Sequence, residues 1–167
     1  MIIFDASTLI LLAKIDILDP FISDYGKQVL IPEKVKEEVL QKGSIETPQI
    51  AGLIADDKIK VSKVDGKKML QKLMDDFNID SGESEAIALA MHHRKAAIVA
   101  TDDRNAIRAC RFLKIDFITA ISVLIRAVEK RLLNRNEAIL KLERLESVGR
   151  YKKTIIADAR RRIRGGE

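Results

Sequence analysis

Carboxylates stand where short apolar runs end. The run MIIF, Met1 to Phe4, is followed at once by Asp5, and AIVAT, Ala97 to Thr101, stops on the adjacent pair Asp102 and Asp103. Two further acidic positions lie inside helical patterns, beside apolar neighbours. In IPEKVKEEVLQKG, Val35 and Val39 mark a buried stripe. At about 100° per residue Glu38 falls about 60° from Val35 and Glu37 about 160° away, so Glu38 points toward the protein and Glu37 toward water. In NIDSGESEAIALAMHH, Asp80 and Glu83 have capping-box spacing, which gives Glu83 a structural reason to exist. Glu85 has none: it shares its face with Ala88 and Leu89, an odd place for a carboxylate unless it is paired or holds a metal. Glu83 and Glu85 point to nearly opposite sides of their helix, so at most one is expected to join a common cluster.

If Asp5, Glu38, Glu85 and an Asp of the pair converge, their repulsion raises some of their pKa values and destabilises the fold unless a cation compensates. Oxygen-only ligation suits Mg²⁺ or Mn²⁺. The chemistry such a site supports is metal-assisted hydrolysis of a phosphodiester, which needs no protein nucleophile. All of these acids but Glu85 also have a plainer role. Asp5 can cap the helix that follows it, with Ser7 and Thr8 beside it. Glu38 can snorkel, and one Asp of the pair can cap the helix beginning near Arg104. Other chemistries lack their parts: there is no Gly-rich phosphate loop, no G-x-G-x-x-G and no H-E-x-x-H. GESEA lacks the last Gly of a nucleophile elbow, so Ser84 is not a nucleophile. Cys110 is alone and His92 and His93 are adjacent, which argues against disulfides and structural zinc.

The elements that must position these acids follow from the pattern. At 167 residues the chain is about one domain long. Apolar runs at Ile2–Phe4, Val29–Ile31, Ile59–Val64, Ile98–Ala100 and Phe117–Ile118 alternate with helical patterns. The helices are expected at about Thr8–Ile15, Glu33–Lys42, Pro48–Ala55, Lys67–Phe77, Glu83–Arg94 and Asn105–Leu113, with a helical C-terminal third beyond. This β-α-β rhythm predicts an α/β fold, a mainly parallel sheet of about five strands covered on both faces. KIKVSKV alternates polar with apolar and is expected at an edge. In such a sheet ligand sites gather at the rim after the strands, where Asp5 and Asp102–Asp103 fall.

Taken in order, FDASTLILLAK, LIPEKVKEEV, GESEAIALA and VATDDRNAIRAC resemble the PIN-domain ribonucleases, in particular the small VapC-like toxin nucleases, over roughly residues 1–125. The resemblance implies an α/β/α sandwich and an acidic pocket holding Mg²⁺ or Mn²⁺ over RNA. It assigns Asp5, Glu38, Glu85 and Asp103 as the catalytic acids. Asp5, Glu85 and Asp103 would hold metal with Asp102 as an extra ligand, and Ser7, Thr101 and Glu83 would support them. Glu85 departs from the Asp usual at its position, and Glu83 can share that role. The family also implies an antitoxin protein as partner and a homodimer.

The chain divides on this reading into a nuclease core, residues 1–125, and a helical extension, residues 126–167, packed on the same domain. Asn134 or Asn136 is placed to cap the helix EAILKLERLES. The net charge of +5 suits an anionic partner without deciding one. Arg160, Arg161, Arg162 and Arg164 form a charge run that is either a solvated helix end or a contact for RNA phosphates. Aromatic residues make up 4%, so no stacking platform for bases is expected. Without a stretch of about 18 apolar residues or a charged-then-apolar leader, a cytoplasmic protein with no membrane association is expected. Two other functions compete. A haloacid-dehalogenase-type phosphohydrolase also pairs an Asp after the first strand with a later acidic pair, but has Ser7 where it requires a second Asp. A non-catalytic module binding nucleic acid or a partner protein would gain nothing from clustered carboxylates.

Overall fold

A computed structural model describes residues 1–93 and 96–165 of the chain. Five three- or four-residue strands form one sheet: β1 (Ile2–Phe4), β2 (Val29–Pro32), β3 (Lys60–Ser62), β4 (Ile98–Ala100) and β5 (Asp116–Ile118). Every pairing is parallel and the order is β3-β2-β1-β4-β5. β1 therefore lies at the centre, and the alternating run KIKVSKV supplies an edge as its pattern predicts.

Alternation along the strands sorts side chains into two cores. Ile2, Phe4, Val29 and Ile31 face one layer of helices: α1 (Ala6–Lys14), α2 (Leu18–Tyr25), α3 (Glu33–Lys42), α4 (Thr47–Ala55) and α8 (Ala120–Glu129). Ile3, Leu30 and Val99 face the other: α5 (Lys67–Phe77), α6 (Ser81–His93) and α7 (Arg104–Leu113). The result is a three-layer α/β/α sandwich. α6 packs against β1, β2 and β4 and against three helices, and its run of Ala lets it sit that close.

The expected elements are present with small shifts at their ends. α1 starts two residues early because Asp5 caps it, accepting from the Thr8 N–H. The expected end of the Glu83–Arg94 helix at Arg94 lies outside the described residues. α2 has no counterpart in the expected pattern. Pro20 breaks the apparent periodicity there, although in a first turn proline costs no hydrogen bond.

α9 (Arg135–Val148) and α10 (Lys153–Arg164) pack on α8, and α9 starts with a full capping box from Asn134 and Glu137. Ala138, Leu142, Leu145, Ile156, Ala159 and Ile163 join the same apolar cluster as Phe4 and Leu9. Lys141 Nζ further donates to the Ile15 carbonyl at the end of α1. Because Leu142 is fully buried in that shared core, Leu142→Ala should destabilise the whole protein by about 2–5 kcal/mol. Urea unfolding checks this: one transition, shifted as a unit, is expected, and two transitions would mean that the C-terminal helices unfold separately.

Candidate active site

The sheet reverses its winding at β1. Helices α1–α4 link β1 to β2 and β2 to β3 on one face, and the chain then crosses to the far side of β1 and links β4 to β5 through α7 on the other face. A crevice opens outside the carboxyl ends of β1 and β4, where such folds bind ligands. Phe4, Ala100 and Ile118 are level in the register, and the Asp5 N–H donates to the Ala100 carbonyl at 3.1 Å. The residues immediately beyond this row are Asp5, Thr101 and Thr119, so the acids are delivered to one rim by strand pairing alone.

Asp5 is only 2% exposed. Its Oδ1 accepts from the Thr8 N–H at 2.7 Å and the Ser7 hydroxyl at 3.2 Å, while its buried Oδ2 has no partner in bonding geometry among the described residues. Burial raises its pKa to about 6, against the pull of the Thr101 hydroxyl and the Thr8 N–H. Asp103 caps α7: its Oδ1 accepts from the N–H groups of Asn105 and Ala106, and its own N–H donates to Thr101 Oγ1.

Asp102 is used differently. Its Oδ2 accepts from the Thr8 hydroxyl at 3.1 Å and the Ala120 N–H at 2.9 Å, and its Oδ1 accepts from the Tyr151 phenol at 2.8 Å. These bonds tie α1, the start of α8 and the α9–α10 loop to the end of β4. Expected as an extra metal ligand, Asp102 is engaged on both oxygens and acts as a strut.

The two glutamates of α6 part company. Glu83 forms the capping box with Asp80, its Oε2 accepting the Asp80 N–H at 3.0 Å and its own N–H donating to Asp80 Oδ1 at 2.8 Å. It also lines the cleft with Asp102 and Asp103. Burial first, then the charges of Asp80, Asp103 and Asp5, raise its pKa to about 8. Glu85 does not join this group. Its Oε2 accepts from the Lys34 N–H at 3.2 Å and so caps α3, whose own cap residue, Pro32, has no side chain able to do so. The expectation that Glu85 meets Asp5 and Asp103 is corrected accordingly: two positions apart on a helix is about 200°, and Glu83 is the one that faces the rim.

Glu38 turns inward and Glu37 pairs with Lys34 in solvent, as the helical angles require. The Glu38 carboxylate lies over Gly82, where a Cβ would fall 2.8 Å from its Oε1. Burial and the neighbouring Asp80 raise its pKa, with Asp5 a smaller contributor.

The cleft at this rim measures about 660 Å³ and has Glu83, Asp102 and Asp103 as its lining carboxylates. Lys14, Lys42, Arg104, Arg150 and Lys152 line it, and none of them forms an ion pair among the described residues. The arginine run lies elsewhere. Arg160 pairs with Glu143 and Arg161 with Asp158, and Arg164 is nine residues along α10 from Ile155 at the cleft, about 14 Å of helix. Sequence reasoning missed the rim cations and Tyr151, which become neighbours only through the tertiary fold. Cys110 is buried, which pushes its thiol up to about 12 and leaves it inert.

Among the described residues, no three His, Cys, Asp or Glu side chains are grouped as a ready-made metal cage. The donor set nevertheless fits a hard cation. It consists of carboxylates, one carries a buried oxygen with no partner in bonding geometry among the described residues, and burial raises the pKa values of Asp5 and Glu83.

The fold and its rim define the class: a doubly wound α/β/α domain with recessed carboxylates at its switch point. A family model for the PIN domain matches residues 1–164, and the chain belongs to that family, whose general class is the nuclease-type hydrolases. The match takes in α9 and α10 as well as the sheet. No curated protein and no solved structure matches the chain.

The raised acids give the protein a distinctive pH profile. A carboxylate whose pKa is higher folded than unfolded holds its proton in the native state after the unfolded chain has lost it, so stability falls as pH rises between the two values. For Asp5 that window runs from about 4 to about 6, and for Glu83 from about 4.5 to about 8. The melting temperature of chelator-treated protein should therefore fall from pH 4.5 to 8. Asp5→Asn should lessen the fall below pH 6, leaving there the share due to Glu83, and raise the melting temperature at pH 7.5, as thermal scans across pH would reveal.

Proposed function

We propose that the protein is a Mg²⁺- or Mn²⁺-dependent endoribonuclease whose centre consists of Asp5, Glu83 and Asp103, with Glu38 beside them. The observation that carries this reading is the buried Asp5 Oδ2, a carboxylate oxygen with no partner in bonding geometry among the described residues, at the switch point of the sheet. A carboxylate oxygen sealed from water without a partner is costly, and a divalent ion is a partner that leaves the group charged. When bound, the ion supplies charge neutralisation on the phosphate and a more acidic water.

The residues of the chain do the remaining work. Asp5 and Asp103 each have one oxygen fixed by backbone N–H groups, so the other is presented in a set direction. Glu83 keeps Oε1 free of the cap, so that oxygen can take the proton from water attacking phosphorus as an ester oxygen departs. The rim cations take the flanking phosphates of RNA. Arg160, Arg161, Arg162 and Arg164 are at most an outlying contact. Neither competing function has a comparable observation. Ser7 donates to Asp5 and supplies no second carboxylate for an aspartyl-phosphate mechanism.

Incubation of single-stranded RNA with Mn²⁺ should give cleavage that EDTA stops. Asp5→Asn, Asp103→Asn and Glu83→Gln should each lose several kcal/mol of transition-state stabilisation, roughly 10²-fold or more in rate, and remain folded. Glu85→Gln, able still to accept from Lys34, should cleave within about threefold of wild type, consistent with a helix cap. Retained cleavage in the first three variants would refute the site.

The biological setting we propose is the toxin of a toxin–antitoxin pair, a cytoplasmic homodimer held in check by an antitoxin protein, on the strength of the small size and the VapC-like order of motifs. Induced expression should arrest growth for wild type and spare it for Asp5→Asn. Equal growth of both would remove the toxin role and leave the nuclease chemistry standing.

A further inference from the structure

The loop between α9 and α10, residues 149–152, reaches back over the sheet and lines the cleft. It holds Tyr151, a half-buried phenol whose ring packs against the main apolar core and whose hydroxyl donates to Asp102 Oδ1 at 2.8 Å. Its approach is built in. A Cβ at Gly149 would collide with the Tyr151 ring and fall 2.9 Å from the Leu145 carbonyl, which accepts the Gly149 N–H. Only glycine leaves room for the ring to lie there.

Asp102 transmits this contact. Its other oxygen accepts from the Thr8 hydroxyl, and the Thr8 N–H is the group that fixes Asp5 Oδ1. On the opposite side, Asp102 precedes Asp103 in the chain, so its anchoring sets the direction in which Asp103 leaves β4. One phenol thus stands at the end of a hydrogen-bonded chain that reaches Asp5 through Asp102 and Thr8.

We infer that Tyr151 is a positioning residue of the acidic centre: by fixing Asp102 as a strut it holds Asp5 and Asp103 in the arrangement that captures the divalent ion, and so makes the α9–α10 loop a working part of the site. This rests on the metal-dependent reading of that site. Outer partners that orient metal-binding carboxylates influence affinity by about 10–100-fold.

The test is Mn²⁺ binding to the full chain, read from the electron paramagnetic resonance signal of free Mn²⁺, together with kcat and KM for RNA. Tyr151→Phe keeps the ring and removes the hydroxyl. It should weaken Mn²⁺ binding about tenfold and lower kcat, with KM for RNA within about twofold of wild type. Leu142→Ala, which loosens the same helices without touching Asp102, is the control and should bind Mn²⁺ as wild type does. Should Tyr151→Phe fail to fold, Gly149→Ala displaces the ring with its hydroxyl intact and should show the same loss. Unchanged Mn²⁺ affinity, tighter Mn²⁺ binding, or an equal loss in Leu142→Ala would each overturn the inference. Wild-type protein that neither binds Mn²⁺ nor cleaves RNA would instead bring down the metal-dependent reading itself, and this inference with it.

Discussion

The Asp5 N–H donates to the Ala100 carbonyl because β1 and β4 are parallel neighbours in register, and the acidic centre depends on that pairing. Parallel strands end on the same side of a sheet, so residues far apart in sequence share a rim when their strands are adjacent. Reversal of the winding at β1 keeps the space outside these two strand ends clear of a crossover helix. Slipping β4 by one residue would turn Val99 and Ala100 to the wrong faces and carry Asp102 away from Thr8, so hydrophobic sorting and acid placement enforce the same register.

That centre is a local cost which the rest of the fold offsets. Asp5, Glu83, Glu38 and Asp102 all have pKa values raised chiefly by burial, so none gains stability from ionising where it sits. Three of these acids are nevertheless anchored by backbone N–H donors: Asp5 by Thr8, Glu83 by Asp80 and Asp102 by Ala120. Such bonds hold a carboxylate in place without neutralising it. Capping, the plainer explanation for Asp5, Glu83 and one Asp of the pair, is therefore compatible with function: the cap fixes one oxygen and leaves the other available.

Fold and site were legible in the sequence to different depths. Strands read clearly because short apolar runs bounded by polar residues have few alternatives, and the place of Asp5 and Asp103 just beyond strand ends read with them. The inward turn of Glu38 followed from helical angles alone. Glu85 was misread because an apolar helix face looks hostile to a carboxylate until the start of α3 is set against it, and the Lys34 N–H that satisfies Glu85 is 51 residues away. Tyr151 carried no local signal, since its partner is 49 residues distant and a lone Tyr between two helices reads as packing. α2 was hidden by Pro20. For Glu85 and Tyr151 the deciding contact was long-range, beyond what periodicity encodes.

The position of the cations matters more than their number. A net charge of +5 and a C-terminal arginine run suggest a polyanion partner, yet the acidic floor repels phosphate and a uniformly basic cleft would repel a divalent ion. The cleft resolves this by depth: Glu83, Asp102 and Asp103 are partly buried, whereas Lys42, Arg104, Arg150 and Lys152 are exposed at its margin. A charge in water is screened over about 10 Å, so the margin attracts phosphates from solution while fields between recessed groups remain strong. Arg160 and Arg161, neutralised by Glu143 and Asp158 and placed well along α10, contribute little to that local field. Lys152 and Arg150 reach the margin on the same loop as Tyr151, so one turn between two helices supplies two of the marginal cations and the phenol that donates to Asp102.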